Sequence, residues 1–256
     1  MKSFLFTVDD NIRCFENLTN NSYGSIFEHP YLGMYKRLHE KYGLKIQLNL
    51  FFENDSFCLS DMTDRYKDEW QASSDWLKLS FHSKLENVKP YEFSGYDEVY
   101  GDCQSVHREI VRFASASALG KTTTLHYCRT TADGIRALKD CGVEGLLGLY
   151  GNADAPRTSY QSTETECEAI RRGDIVFSDD IAFAGIDVIL NSHSVENILK
   201  KLEALTSREL IKVMIHEQYF YPDYPRYQEN FEEKLATTFE FLTQLGYNST
   251  FFEEHI

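Results

Sequence analysis

Long apolar runs are missing from this sequence: no stretch approaches the roughly 18 residues that a membrane-spanning helix needs. The first six residues carry one lysine and a short apolar stretch, and Asp9 and Asp10 break it before the core of a signal peptide could form. A cytoplasmic protein without a membrane anchor is therefore expected. Positive charge is also scarce, with 26 Lys and Arg against 40 Asp and Glu and a formal net charge of −14. Such a surface repels phosphate backbones and anionic lipid, which argues against nucleic acid and membranes as partners. Cysteine is sparse for a chain of this size. The six present include no C-x-x-C pair, so reduced, mostly buried thiols are expected in place of a disulfide framework. No Pro/Gly-rich linker, low-complexity tract or internal repeat divides the 256 residues. One domain over residues 1–256 is expected, with an insertion around residues 152–184.

What is present is an alternation of two periodicities. Residues 3–8 form an apolar run that stops at Asp9 and Asp10, the pattern of a buried strand reaching the solvent end of a sheet. Residues 31–42 place Leu32, Tyr35, Leu38 and Tyr42 at three- and four-residue steps, with Gly43 at a helix C-cap position. A strand at 44–52, a polar helical stretch at 62–76, a strand at 77–81 and a helix at 99–118 follow, the last with Val106, Ile110 and Phe113 on one face and Gly120 as its stop. Next come a β-branched strand at 122–125, a helix at 132–141 ended by Gly142, and a strand at 145–150. Residues 152–162 read as a loop and 163–172 as a short helix, and the runs at 174–177 and 186–190 read as a local hairpin. A helix at 194–205, a strand at 209–215, a long amphipathic helix at 228–245 and a closing strand at 250–252 complete the chain. About seven strands separated by helices imply crossover connections and hence parallel pairing. The expected fold is α/β, a distorted (β/α) barrel, with a doubly wound open sheet as the alternative.

Barrels of this kind gather reactive groups just past the C-terminal ends of their strands. Those places hold Asp9 and Asp10, His82, His126, Asp179 and Asp180, and His216. A divalent ion such as Zn²⁺ takes about three imidazole or carboxylate ligands and keeps a position open for water, so Asp10, His82 and one further residue would suffice. Two adjacent carboxylates on a strand point opposite ways, which leaves one to ligate and its neighbour to act as a base. Plainer roles compete: aspartate is common in turns, and a strand-end histidine is often structural. His107, beside Val106 and Ile110 in a helix, reads as packing, and Cys128 as a buried thiol. Tyr219, Phe220, Tyr221, Tyr224 and Tyr227, interrupted by Pro222 and Pro225, form an aromatic loop suited to stacking on a sugar ring or to packing on its own barrel.

Read in order, Phe6-Thr7-Val8-Asp9-Asp10-Asn11, Phe81-His82-Ser83 and Met214-Ile215-His216 resemble the first, second and last motifs of the polysaccharide deacetylase superfamily, the carbohydrate esterase family 4 type. The resemblance implies a distorted (β/α) barrel that removes an acetyl group from an N- or O-acetylated sugar, with Zn²⁺ as cofactor and a small molecule or oligosaccharide as substrate. The family's opening Thr-Phe-Asp-Asp-Gly implies Asp9 as catalytic base and Asp10 as metal ligand. Its His-Ser/Thr-x-x-His implies His82 as a ligand, and its closing Leu-x-His implies His216 as general acid. Three departures stand out. Asn11 replaces the glycine, and Glu86 stands where the second histidine belongs, so the third ligand is Glu86 or His126, with Glu86 favoured. The family's Arg-Pro-Pro-Tyr-Gly is absent after the fourth strand, where His126-Tyr127-Cys128-Arg129 stands and leaves Arg129 as the candidate to orient the base. The missing histidine and arginine motif keep open a barrel without catalysis that binds carbohydrate or a protein partner. A metal-free glycosidase with paired carboxylates is a third option.

Overall fold

In the computed structural model, which describes residues 2–86, 91–151 and 158–256, the apolar runs become mostly parallel strands with helices between them. The first half contains β1 (Ser3–Asn11), α1 (Arg13–Asn20), α2 (Pro30–Tyr42), β2 (Ile46–Glu53), α3 (Lys67–Ala72), β3 (Leu77–Leu85), α4 (Tyr96–Phe113), β4 (Thr122–Thr123) and α5 (Ala132–Asp140). The second contains β5 (Gly145–Gly148), α6 (Glu164–Arg172), β6 (Val176–Ser178), β7 (Ile181–Gly185), β8 (Val188–Ile189), α7 (Val195–Ala204), β9 (Leu210–His216), α8 (Phe231–Gln244) and β10 (Asn248–Thr250). One sheet runs β3-β2-β1-β9-β8, all parallel, with β10 beside the first residues of β1. The other runs β4-β5-β7-β6, where only β6 is antiparallel.

The expected α/β alternation is present, but no continuous strand ladder closes a ring among the described residues. On one side the sheets meet at a parallel bridge between Leu79 and Leu119. On the other, Ile186 N–H donates to the Gly148 carbonyl and Asp187 N–H to that of Lys212.

Local chemistry sets the ends of the helices. Pro30 opens α2, and Gly43 closes it at φ 64°, a left-handed conformation that glycine adopts without a Cβ penalty. A capping box of Thr163 and Glu166 starts α6. The polar stretch at 62–76 is helical only over Lys67–Ala72. Ser73, Ser74 and Asp75 favour turns over helix, and Arg112 draws off the Leu59 and Met62 carbonyls at 2.9 and 2.8 Å.

The expected hairpin between 174–177 and 186–190 is replaced by one between β6 and β7. Asp179 and Asp180 form its two-residue tip with φ of 51° and 61°, as a type I′ turn requires. Asp180 is exposed and pairs with Lys139 at 2.8 Å, so these two acids are turn residues. The run at 186–190 instead supplies β8, parallel to β9. Within the loop expected at 152–162, residues 152–157 lie outside the described residues.

Phe4, Phe6 and Val8 turn outward from β1 into the main core, where Phe4 and Phe6 meet Phe239 at ring separations of 5.6 and 5.0 Å. Burial of each such side chain contributes roughly 1.5–3 kcal/mol. Leu5 turns inward to a small cluster with Leu147, Ala182, Ala184, Leu210 and Phe252. Above this plug the interior becomes polar. Thr122 Oγ1 donates to Gln47 Oε1 at 2.8 Å, Gln47 Nε2 to Asn49 Oδ1 at 2.9 Å, and Asn49 Nδ2 to Asp9 Oδ1 at 2.6 Å.

Just past β9, the buried carboxylate of Glu217 accepts the backbone N–H groups of Ile12, Arg13 and Cys14 at 2.7, 3.0 and 2.8 Å, and the Tyr221 hydroxyl at 3.1 Å. These N–H groups open α1, which has no side-chain cap of its own. Glu217 supplies the missing acceptor and places negative charge at the positive end of the helix.

Glu217→Gln should therefore cost on the order of 3 kcal/mol, since either orientation of the amide turns its NH₂ toward backbone donors. Urea unfolding reads this, and a loss below about 0.5 kcal/mol would mean that the contact is dispensable. A second expectation concerns His29, buried against Tyr23 and Tyr31, where desolvation lowers its pKa from 6.5 to about 4. Between those values the unfolded chain holds a proton that the folded chain does not, so the stability from this site is full above pH 6.5 and is lost as pH falls toward 4. His29→Phe should flatten stability against pH in that window by about 1.4 kcal/mol per pH unit. Parallel curves for the two proteins would contradict it.

Candidate functional site

Two irregularities in the sheet build the site. Where β1 pairs with β2, Val8 stands opposite Leu48 and Asn11 opposite Leu50, so Asp9 and Asp10 together face the single residue Asn49. This is a β-bulge, with Asp10 at φ 64°, a left-handed conformation that aspartate tolerates better than most residues. Where β3 pairs with β2, Leu50 faces Phe81 and Phe51 faces Ser83, so His82 is the extra residue of a second irregularity. Strict alternation would send Asp9 and Asp10 to opposite faces. The first bulge is the reason both line the same cavity, about 400 Å³ in volume, together with His82, Glu86, His126 and His216.

Three atoms converge on its floor. Asp10 Oδ1 lies 3.0 Å from His82 Nε2 and 3.3 Å from His126 Nδ1, and the two nitrogens are 3.2 Å apart. Ligand atoms about 2.05 Å from a tetrahedral Zn²⁺ are separated by about 3.3 Å, so this triangle already has the dimensions of one face of such a site. Among the described residues, Asp10, His82 and His126 form the group of acid, imidazole or thiol side chains close enough to share an ion.

Each member is held from outside the triangle. His82 Nδ1 donates to the Thr124 carbonyl, which leaves Nε2 to the cluster. Gln218 Nε2 donates to Asp10 Oδ2 at 2.7 Å. His126 follows β4 in a short turn, against the rings of Phe51 and Tyr127 at 4.9 and 4.1 Å, and the left-handed Tyr127 and Cys128 bend the chain behind it. Burial opposes the charge on Asp10, but the His126 and His82 hydrogen bonds outweigh it and hold the carboxyl well below its ordinary range. Burial also opposes a cationic His82, yet the Asp9 charge and the Asp10 hydrogen bond raise its pKa. Burial lowers that of His126. One carboxylate and two imidazoles sharing protons at these distances fit a divalent cation, which replaces those protons when it binds.

Beside the triangle, strand register sets Asp9 opposite His216 of β9. Asp9 is buried with Asn49 as a donor. Desolvation raises its pKa, against the pull of His82 and His216, which favours a carboxylate able to accept a proton. His216 Nδ1 donates to Asn191 Oδ1 at 2.9 Å, leaving Nε2 to exchange protons. Glu86 lines the cavity but stands outside the three-atom cluster. Arg129 does not line it and pairs with Glu92. Tyr219, Tyr224 and Arg226 also line the cavity, the two tyrosine rings meeting edge to face at 5.2 Å.

Sequence reasoning missed Asn49, Asn191 and Gln218, the amides that orient Asp9, His216 and Asp10. Only Asn49 left a signal: with Gln47 it places amides at alternate positions of the otherwise apolar run in β2.

No protein-family model and no curated protein sequence matches this chain. Among solved structures, its fold is similar to that of a 4-alpha-glucanotransferase from Thermococcus litoralis, with a TM-score of 0.60 and 14% identity over 99% of this chain and 40% of that one. It is also similar to a peptidoglycan N-acetylglucosamine deacetylase, with a TM-score of 0.54 and 10% identity over 98% and 86% of the two chains. A family 4 acetyl xylan esterase from Clostridium thermocellum, in complex with a cobalt ion, gives a TM-score of 0.51 and 12% identity over 99% and 89%. At these identities the likeness is one of fold alone, and it is shared with a glucanotransferase as well as with a deacetylase and a family 4 esterase.

Proposed function

We propose that this chain is a metal-dependent hydrolase that removes an acetyl group from an N- or O-acetylated sugar, either a small molecule or an oligosaccharide. The observation that carries the reading is the triangle of Asp10 Oδ1, His82 Nε2 and His126 Nδ1, with a buried Asp9 and His216 side by side next to it. Asp10, His82 and His126 would hold the ion, and their oxygen and nitrogen donors suit Zn²⁺. When bound, such an ion supplies a Lewis acid for an acyl carbonyl and acidifies water. His126 takes the third position in preference to Glu86, which is left at the cavity edge to accept hydrogen bonds from substrate hydroxyls.

The chain's own residues divide the proton work. Asn49 occupies Asp9 Oδ1, so Oδ2 receives the proton of the attacking water. Asn191 occupies His216 Nδ1, so Nε2 delivers a proton to the departing amine or alcohol. Tyr219 and Tyr224 offer ring faces to a sugar. A second reading, a barrel that binds sugar without turning it over, is favoured by the position of Arg129, whose guanidinium is paired with Glu92 away from Asp9.

After chelation and reloading with Zn²⁺, Co²⁺ or Ni²⁺, elemental analysis should find an equimolar ion. Asp10→Ala, His82→Ala and His126→Ala should each lose most of it, with little change in the thermal melt of the metal-free chain for the two histidine variants and a modest drop for Asp10→Ala, whose alanine is strained at φ 64°. Full occupancy in all three variants would refute the ligand set, and loss in Glu86→Ala with retention in His126→Ala would return the third position to Glu86.

Acetate release from acetylated glucosamine oligomers or acetylated xylan, the substrate types named for the structural neighbours, should require the ion. Asp9→Asn should lower kcat by roughly 10²- to 10⁴-fold without loss of ion, and His216→Ala should do likewise. Binding of these sugars by the loaded chain with no acetate released would favour the second reading.

A further inference from the structure

Away from the cavity, a second group of reactive side chains lies where α4 meets the end of α5. Cys103 and His107 are one turn apart on α4 and share a face with Tyr100. Cys103 Sγ lies 3.5 Å from His107 Nε2. Three contacts bring the end of α5 onto that face. The Tyr96 hydroxyl donates to Asp140 Oδ2 at 2.7 Å, Cys141 Sγ donates to the Tyr100 carbonyl at 3.6 Å, and the His107 ring hydrogen-bonds the Cys141 backbone. The Tyr100 contact places Cys141 Sγ one turn before Cys103 on the face that carries it, and the two thiols are near enough to shift each other's titration. Cys103 is buried and Cys141 half-buried, so one thiol is reachable from solvent and the other waits behind it.

The chemistry of the pair is asymmetric in a useful direction. The neighbouring Cys103 thiol lowers the pKa of Cys141, while burial raises that of Cys103. Burial also lowers His107 to about 4, so its ring stays a neutral imidazole that packs beside Cys103 without charge. Cys58, the other half-buried thiol, has the Ser60 hydroxyl as its neighbour at 3.1 Å.

We propose that Cys103 and Cys141 are a site of reversible oxidation that closes to a disulfide on exposure to a low-molecular-weight disulfide. The Cys141 thiolate attacks one sulfur of the reagent, whose S–S bond breaks and releases one thiolate, leaving Cys141 in a mixed disulfide. Cys103 Sγ, giving up its proton to solvent, then attacks Cys141 Sγ, and the second reagent sulfur departs as a thiolate that takes up a proton. Two protein thiols are oxidised and one reagent disulfide is reduced to two thiols, which carry away both protons. The bond ties together the helices that follow His82 and His126 in the chain. It is independent of the hydrolase reading.

The test is to equilibrate the folded chain with oxidised and reduced glutathione at several ratios, quench with acid, alkylate and map peptides. Titratable thiols should fall from six to four, with a peptide linked through Cys103 and Cys141 that dithiothreitol reverses. The Cys103→Ser chain should stop at glutathione bound to Cys141. Wild-type chain that carries glutathione on Cys141 with Cys103 still alkylated, or that keeps all six thiols, would overturn the proposal, and this result needs no variant to fold.

Discussion

The two strands that carry the candidate chemistry end where their ladder of hydrogen bonds runs out, and the Glu217 carboxylate replaces that ladder. It follows His216 directly, and its backbone donors begin at Ile12, two residues past Asp10. Desolvation of a buried carboxylate is costly and still raises the Glu217 pKa, yet the N-terminus of α1 offers N–H groups that would otherwise be unpaired, so one contact offsets part of both costs. Asn11 completes the arrangement. Its Nδ2 donates to the Val8 carbonyl at 2.6 Å and to that of Asn49 at 3.2 Å, and its Oδ1 accepts the Tyr31 hydroxyl at 2.8 Å. The position at which the family motif has glycine thus holds an amide that bonds carbonyls beside the bulge, while Asp10 takes the left-handed conformation.

Much of the fold was legible because burial on both faces of a parallel strand leaves an apolar run, and helix ends announce themselves through Gly43, Gly142 and Thr163. The strand β7 was not legible: Ile-Ala-Phe-Ala-Gly is too rich in small residues to stand out, and they are small because the inward side packs against Leu147 and Leu210. Asp179 and Asp180 misled for a related reason, since an acidic pair after an apolar run marks a hairpin tip as readily as a strand end. Within the candidate site, Asp9, Asp10, His82, His126 and His216 were visible as reactive types after strands. Their convergence was not, because it depends on bulges in non-local pairing, and one inserted residue reverses every side chain beyond it. Glu86 drew attention by motif spacing alone, and that spacing presumes a helix-like turn after His82, whereas β3 continues to Leu85.

The triangle is more than three polar groups collapsed on one another. Thr124 fixes His82, Gln218 and the bulge fix Asp10, and the rings of Phe51 and Tyr127 fix His126. Phe51 also packs on His82 at 5.1 Å, so one ring braces both imidazoles, and all three side chains have contacts outside the triangle. If the triangle holds an ion as proposed, donors braced in this way would be in place before it binds, and reorganisation would take little from the affinity.

Asp9 is oriented here by amides and not by an arginine. The donor chain from Thr122 through Gln47 to Asn49 ends on its carboxylate, every amide turned the same way because each has one oxygen to accept and one nitrogen to donate. A guanidinium at that place would add positive charge and hold Asp9 strongly in its ionised, weakly basic form. Neutral amides fix the orientation of the carboxylate while leaving its proton affinity to burial and the nearby histidines. Orientation and basicity, which one arginine would set together, are therefore set by different neighbours in this chain.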